Sequence, residues 1–278
     1  MAGLLYIVAT PIGNLGDISE RAIETLKQVD LIAAEDTRHS KTLLERFAIK
    51  TNTRAYHEHN EEQLTMQLIE KLINGESIAL ISDAGTPLIN DPGYKLVAAA
   101  HDNNIQVVPI PGPSAIITAL SASGLPTNKF IFEGYLPPKS EARKMRLSEL
   151  KNESRTLVFY EAPHRIVESL KIMQEIYGAE RRATIARELT KQFEQIVRDT
   201  LSALNKKLES EEIRIKGEFV VIVDGAQEVS ISDEEVLRIN QILSENLSPK
   251  EAAGLTAKIT GKKKNEVYKL ALESGKEN

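Results

Sequence analysis

Residues 4–17 read Leu-Leu-Tyr-Ile-Val-Ala-Thr-Pro-Ile-Gly-Asn-Leu-Gly-Asp. The first six form an unbroken apolar run, the pattern of a strand covered on both faces. The next eight hold a proline and two glycines, and they turn the chain before a helix predicted over Ile18–Gln28. Asp17 and Glu20 have capping-box spacing there, with aspartate in place of the usual serine or threonine. Strand, Gly/Pro loop and helix in that order open an α/β domain with a mostly parallel sheet.

The alternation continues outward from this stretch. Leu31–Ala34 and Ile78–Ile81 read as short apolar strands, with Arg54–His57 and Gln106–Ile110 as two more. Helices are predicted over Lys41–Phe47, Asn60–Ile73 and Tyr94–Asp102; the second carries Leu64, Leu68 and Leu72 at helical spacing, and Gly75 stops it. Past Pro111 the predicted helices are Ala115–Ser123, Glu141–Lys151, Arg165–Ile176 and Leu201–Leu208. The predicted strands are Phe130–Tyr135, Thr156–Tyr160, Ala183–Ala186, Phe193–Arg198 and Phe219–Val223. Strands here sometimes follow one another directly, so this half should hold a mixed sheet.

After Gly225 comes a charged stretch, then a small helical module. Ser248, Pro249 and Glu251 supply an N-cap, a proline at the first helical position and a capping-box glutamate. A helix to Ile259, a break at Gly261 and a second helix over Asn265–Leu272 resemble a helix-turn-helix pair, and Ser274–Asn278 should fray. The expected fold class is therefore α/β. It comprises a lobe at 1–111 with a mostly parallel sheet, a lobe at 112–226 with a mixed sheet, a cleft between them, and a helical module at 231–278.

Composition removes several function classes. The chain has no cysteine, which excludes disulfides, thiolate metal sites and cysteine nucleophiles. The lack of an apolar leader and of any long uncharged run points to the cytoplasm and away from membranes. Net charge is −5, so this is not a basic nucleic-acid coat. Charge is uneven, however. Ser248–Asn278 holds seven lysines against four glutamates, and Pro137–Lys151 holds five Lys/Arg against two Glu. Local surplus of this kind can bind phosphate.

Three Gly/Pro-rich loops follow predicted strand ends: Thr10–Asp17, Ser82–Gly93 and Pro111–Ser114. Ligands of open α/β sheets bind beyond the carboxyl ends of the strands. Glycine and proline there let backbone groups face a ligand directly. The dinucleotide fingerprint, the P-loop and the G-x-S-x-G elbow are all absent, which disfavours dehydrogenases, nucleotide hydrolases and serine hydrolases. His57 and His59 flank Glu58, yet no third ligand is indicated nearby, so no metal is expected. His164 reads as a capping or phosphate-facing residue.

In order along the chain, the loop motifs are Val8–Asp17, Ala34–Arg38, Ser82–Pro87 with Asp91–Gly93, Pro111–Ala115, Tyr160–Arg165 and Arg187–Lys191. These six ordered motifs resemble the tetrapyrrole-methylase-like methyltransferases from Leu4 to about Gly225. Within that superfamily they are most similar to the bacterial enzymes that methylate a cytidine ribose of small-subunit ribosomal RNA, and the C-terminal helices fit the same group.

The resemblance implies S-adenosyl-L-methionine folded in the cleft and held largely by backbone groups. Asp83, Gly85, Thr86, Pro87, Leu88 and Ile89 would line one side, Ser114 and Ala115 would sit beneath, Glu161 and Ala162 would come from the second lobe, and Pro11 from the facing loop. A sulfonium is positively charged, so carbonyls and carboxylates suit its surroundings better than lysines do. The reaction would carry the methyl group to a ribose 2′-oxygen. Asp36 or Glu161 would take the hydroxyl proton, a contribution of roughly 10²–10⁴-fold. Arg38 and Lys191 would hold phosphate or orient a carboxylate, and Glu35 lies among the same candidates. An equally weighted reading pairs Asp36 with Arg38 and Glu188 with Lys191 across the lobes.

Phosphate contacts are expected from the basic helix (Lys139, Arg143, Lys144, Arg146) and from Lys262, Lys263 and Lys264. Such contacts give salt-dependent affinity without reading bases. The implied partner is small-subunit ribosomal RNA, and the implied state is a homodimer. Two alternatives stay open: a methyltransferase for a small planar porphyrinoid, and a non-catalytic ribosome-binding module.

Overall fold

The computed structural model describes residues 2–227 and 232–274. Residue 231 and residues 275–278 of the expected module, and most of the predicted frayed end, lie outside these. The chain divides into two compact units, Met1–Ala226 and Gln227–Asn278.

The first unit contains two sheets. The first has strands β1 (Leu5–Val8), β2 (Leu31–Ala34), β3 (Thr53–Ala55), β4 (Ile78–Ile81) and β5 (Val107–Ile110), in the order β3-β2-β4-β1-β5. Every pairing is parallel. Both faces are covered. Helices α1 (Glu20–Gln28) and α2 (Thr37–Arg46) pack Leu26, Leu43 and Leu44 on one face. Helices α3 (Glu61–Ile73) and α4 (Tyr94–Asp102) pack Leu64, Leu68, Leu72 and Leu96 on the other. Double coverage is why β2 and β4 are buried at every position and read as continuous apolar runs.

Beyond α5 (Ala115–Ser123) lies the second sheet, built from β6 (Phe130–Tyr135), β7 (Thr156–Glu161), β8 (Arg182–Arg187), β9 (Gln195–Thr200) and β10 (Phe219–Val223). Its order is β6-β7-β10-β8-β9, with β6 and β7 parallel and the other pairs antiparallel. The sheet is mixed, as expected. Helices α6 (Ser140–Glu149), α7 (Ile166–Tyr177) and α8 (Leu201–Glu209) cover one face through Leu147, Leu170 and Leu204. The opposite face packs Val158, Ala186 and Val220 against Ile116 and Leu120 of α5, and against Ile12 from the first β1 loop. Ile12 thus plugs one lobe into the other.

Some helix starts differ from expectation. Ser19, not Asp17, caps α1: its side chain accepts the Ala22 N–H, while Asp17 ends a short 3-10 turn. Helix α2 begins at Thr37, because the Asp36 side chain accepts the Arg38 N–H and caps it there.

The second unit has three helices, α9 (Asp233–Ser244), α10 (Pro249–Thr260) and α11 (Lys264–Ser274). Sequence patterning predicts the last two and misses α9. Val236, Ala253 and Val267, one from each helix, form its small core. Glu251 accepts the Ser248 N–H at 3.2 Å, and Pro249 opens α10. Among the described residues no helix is long and apolar enough to cross a membrane.

Candidate active site

Strands β4, β1 and β5 are neighbours, so the loops leaving their carboxyl ends emerge side by side. Hydrogen bonds stitch these loops together. Thr10 N–H donates to Gly85 O at 2.8 Å, and Gly85 N–H returns the bond to Thr10 O at 3.0 Å. The Thr10 hydroxyl donates to Ser82 O at 3.1 Å, and the Thr86 hydroxyl to Pro113 O at 3.0 Å. Gly85 sits at φ 85°, a conformation that favours glycine.

Facing these loops, Tyr135, Tyr160, Ala186, Phe219 and Val220 of the second sheet close a hollow of about 220 Å³. Among the described residues its charged lining is Glu35, Asp83, Asp91 and Glu218: four carboxylates, with no lysine, arginine or histidine. Burial, reinforced by the charges of Glu35 and Asp83, pushes the Asp91 carboxyl up to about 6. Burial raises Glu35 as well, although the Asp83 N–H donates to its carboxylate at 3.3 Å. A ligand with a positive reactive centre would relieve this crowding of negative charge. The chemistry of the lining therefore fits a sulfonium and disfavours an anion.

Six of the expected donor-binding residues line this hollow: Asp83, Gly85, Thr86, Ile89, Ser114 and Ala115. Pro11 lines an adjoining hollow of about 480 Å³. Pro87 and Leu88 line neither, and Leu88 turns inward against the first lobe's core.

The expectation for Glu161 and Ala162 is corrected. Side chains alternate along β7, so Tyr160 faces the hollow while Glu161 points to the α7 side. There Glu161 is 2% exposed, accepts from Ser169 Oγ at 2.5 Å and from the Ala162 N–H at 2.8 Å, and lies 3.0 Å from Arg165 Nε. It anchors a helix and cannot reach a substrate. Ala162, spent on the same carboxylate, does not line the hollow.

Asp36 is held otherwise than a base should be. Arg38 donates to it from Nη2 at 2.7 Å, from Nε at 3.1 Å and from its backbone at 2.8 Å. These bonds hold its carboxyl well below the usual carboxylate range. The pairing is local to α2 and does not cross the lobes. Lys191 likewise pairs within its own lobe, with Glu188 and Glu218 at 2.8 Å each. Arg38 and Lys191 do share the adjoining hollow.

The basic helix α6 is also corrected. Arg143 is 1% exposed and donates to Pro137 O, Pro138 O and Ser169 Oγ. It is a structural brace, unavailable to phosphate. Arg146 lies between Glu133 and Glu149, and Lys144 stands 3.7 Å from Glu175. Lys139 stands at the N-cap position of α6, with no side-chain capping bond and no ion pair among the described residues. In the second unit Lys262 pairs with Asp233, whereas Lys263 and Lys264 are exposed.

Sequence reasoning missed Asp91, Tyr135, Tyr160 and Glu218 as lining residues. Asp91 had a signal, since Asp91-Pro92-Gly93 is one of the ordered motifs. Tyr160 likewise opens the motif Tyr160–Arg165, whereas Tyr135 on β6 and Glu218 just before β10 carried no local pattern.

Fold and hollow together define a two-lobed α/β protein whose site, with its backbone loops, carboxylates and tyrosines, suits a cationic ligand. Residues 4–205 match the family described as Tetrapyrrole (Corrin/Porphyrin) Methylases, and the chain belongs to that family. Residues 230–275 match the RsmI C-terminal HTH domain. The chain is 53% identical to ribosomal RNA small subunit methyltransferase I of Vibrio cholerae, over 98% of this chain and 96% of the relative. It is 51% identical to the protein of that name from Escherichia coli O157:H7, over 98% and 95%. Among solved structures, uroporphyrin-III C-methyltransferase from Thermus thermophilus, complexed with S-adenyl homocysteine, matches with a TM-score of 0.54. That match has 16% identity and covers 80% of this chain and 97% of the other.

Proposed function

We propose that this chain transfers a methyl group from S-adenosylmethionine to the ribose 2′-oxygen of a cytidine in the decoding region of small-subunit ribosomal RNA. The observation that carries the donor assignment is a hollow lined, among the described residues, by four carboxylates and no cation, beneath loops that present main-chain groups. When bound, the sulfonium donor supplies a methyl group already activated for displacement.

The chain's own residues do the rest. Asp83, Gly85, Thr86 and Ile89 flank the donor, with Ser114 and Ala115 beneath it. The hydroxyl proton needs an acceptor, and Asp91 replaces Asp36 and Glu161 in that role. It faces the hollow, and its proton affinity lies close to working pH, where a general base is most effective. Holding the two reactants in line between loops and sheet contributes roughly 7–11 kcal/mol in favourable cases.

The choice of RNA rests on relatives named ribosomal RNA small subunit methyltransferase I, more than half identical along nearly the whole chain. The porphyrinoid alternative draws on the description of the matching family and on likeness of fold at 16% identity, with no relative of comparable identity behind it here. A non-catalytic binding module would have no need of a donor hollow. Lys263 and Lys264 of the second unit are the phosphate contacts this reading keeps. A homodimer, on the family resemblance, and a cytoplasmic location, on composition, belong to the same reading.

Labelled methyl transfer to whole small subunits from an unmodified strain, followed by nucleoside analysis, tests the proposal. The expected product is 2′-O-methylcytidine. Label on a base, or label absent from the RNA, would refute it.

A further inference from the structure

The donor hollow does not end blindly. The adjoining hollow shares Ile12, Asp83, Ala84 and Glu218 with it. A third hollow shares Gly13, Leu15 and Lys191 with the second, and ends against Arg46 and Phe47. The three form one seam between the lobes.

Electrostatic character changes along this seam. Among the described residues the donor end has four carboxylates and no basic side chain. The middle adds Arg38, His39 and Lys191, and the far end adds Arg46. Helix α2 contributes all of these except Lys191. Arg46 has no ion pair among the described residues, and the Arg38 side chain is 90% exposed. A guanidinium has five N–H donors. Asp36 engages only Nε and Nη2 of Arg38, so a second acceptor can be held on the open side.

We infer that this seam carries the acceptor strand: a single-stranded RNA segment lies along α2 with its phosphates on Arg38 and Arg46, passing Lys191, which is itself paired with Glu188 and Glu218. This places the target ribose at the mouth of the donor hollow. The inference rests on the RNA-methylating reading above and adds where the polymer runs. A single strand is the fitting occupant because a ribose inside a duplex cannot enter a hollow between two lobes, whereas an unstacked nucleotide can. Helix α6, the basic helix that sequence puts forward, offers much less, since Arg143 is buried and Arg146 is committed to two glutamates.

The test is salt-dependent binding of the full-length protein to a short single-stranded RNA of decoding-region sequence. Each phosphate contact contributes about 0.7 to the slope of log affinity against log salt for a single strand. Arg46→Gln is expected to lower that slope by about 0.7, and Arg38→Gln/Arg46→Gln by about 1.4. Arg46→Lys, which keeps the charge, should keep the slope, and all three variants should bind S-adenosylmethionine within twofold of wild type. A wild-type slope in the double variant overturns the inference. So does a loss of slope in Lys139→Gln/Lys144→Gln on α6 that the α2 variants do not show. The two readings fail separately. Wild-type protein that leaves small-subunit RNA unmethylated refutes the activity. Wild-type protein that methylates it, with an unaltered α2 slope in the variants, refutes only the path.

Discussion

The backbone N–H of Asn14 donates to the Thr190 hydroxyl at 3.1 Å, joining the first loop of one lobe to the turn after β8 in the other. That turn is held in an unusual shape, with Glu188 at φ 50° and Thr190 at φ 64°. Next to the bond, a Cβ on Gly13 would stand 2.5 Å from Lys191 Cγ and 3.1 Å from Leu189 O, so the lobes close only because position 13 is glycine. A hydrogen bond of this kind is worth about 1 kcal/mol net. Thr190→Ala should lower unfolding stability by about that amount and speed hydrogen exchange at the Asn14 amide. Wild-type exchange at Asn14 in that variant would show that the clasp does not hold the loops.

Gly85 offers a sharper perturbation of the hollow itself. An added Cβ would lie 3.4 Å from Ile12 Cγ2, an ordinary contact, so space is available. Conformation is the obstacle: a left-handed backbone costs an L-residue about 1–2 kcal/mol. Gly85→Ala should relieve that strain by shifting the loop and breaking the reciprocal bonds with Thr10. Donor affinity, measured by calorimetry, is expected to fall about tenfold, the equivalent of 1.4 kcal/mol. Undiminished affinity would mean that this backbone does not shape the donor site.

Strands covered on both faces were the most legible elements, because full burial leaves a continuous apolar run; Ile78–Ile81 and Phe219–Val223 show this. Helix α2 was read four residues late. Its first turn is polar, and Leu43 and Leu44 come only in its second half. Helix α9 was missed although Val236, Ile239 and Leu243 recur at helical spacing and Ser232 precedes three acidic residues, because it follows directly on a charged stretch. The loops of the site were legible through glycine and proline. The direction of Glu161 and the burial of Arg143 were not, since charge counted along a chain does not say which face a side chain occupies.

Arg143 separates a structural cation from a nucleic-acid contact. Its removal leaves buried Ser169 Oγ, half-buried Pro137 O and the more exposed Pro138 O short of a donor, and Glu168 without its cation. Unsatisfied buried groups cost about 1–3 kcal/mol each. Arg143→Gln should lose on the order of 3 kcal/mol of stability in chemical denaturation, with the RNA salt slope unchanged at temperatures where it stays folded. A stable variant with a shallower slope would return Arg143 to the RNA surface.

Among the described residues, Val236, Ala253 and Val267 give the second unit a small core of its own. A chain ending at Ala226 should therefore fold and bind S-adenosylmethionine with wild-type affinity while losing RNA affinity and methylation. Parallel loss of donor and RNA binding would contradict a role confined to RNA for Lys263 and Lys264.

Asp91 makes the site sensitive to pH in a defined direction. Its folded value of about 6 lies above the ordinary aspartate value near 3.9, so between these values the folded protein holds more proton than the unfolded chain. This carboxyl's contribution to stability is therefore greatest below about pH 4, declines as pH rises toward 6, and is level beyond. Asp91→Asn should flatten that decline and raise the melting temperature at pH 7.5. Binding of a cationic donor favours the ionised carboxylate and lowers the same value, so donor binding at pH 6 should release a proton fraction approaching one half. Calorimetry in buffers of different ionisation enthalpy measures that release directly. Burial raises Glu35 too, and it supplies any residue of the effect in Asp91→Asn. Wild-type protein that binds the donor at pH 6 without releasing a proton would place the positive centre away from Asp91, and with it the proposed base.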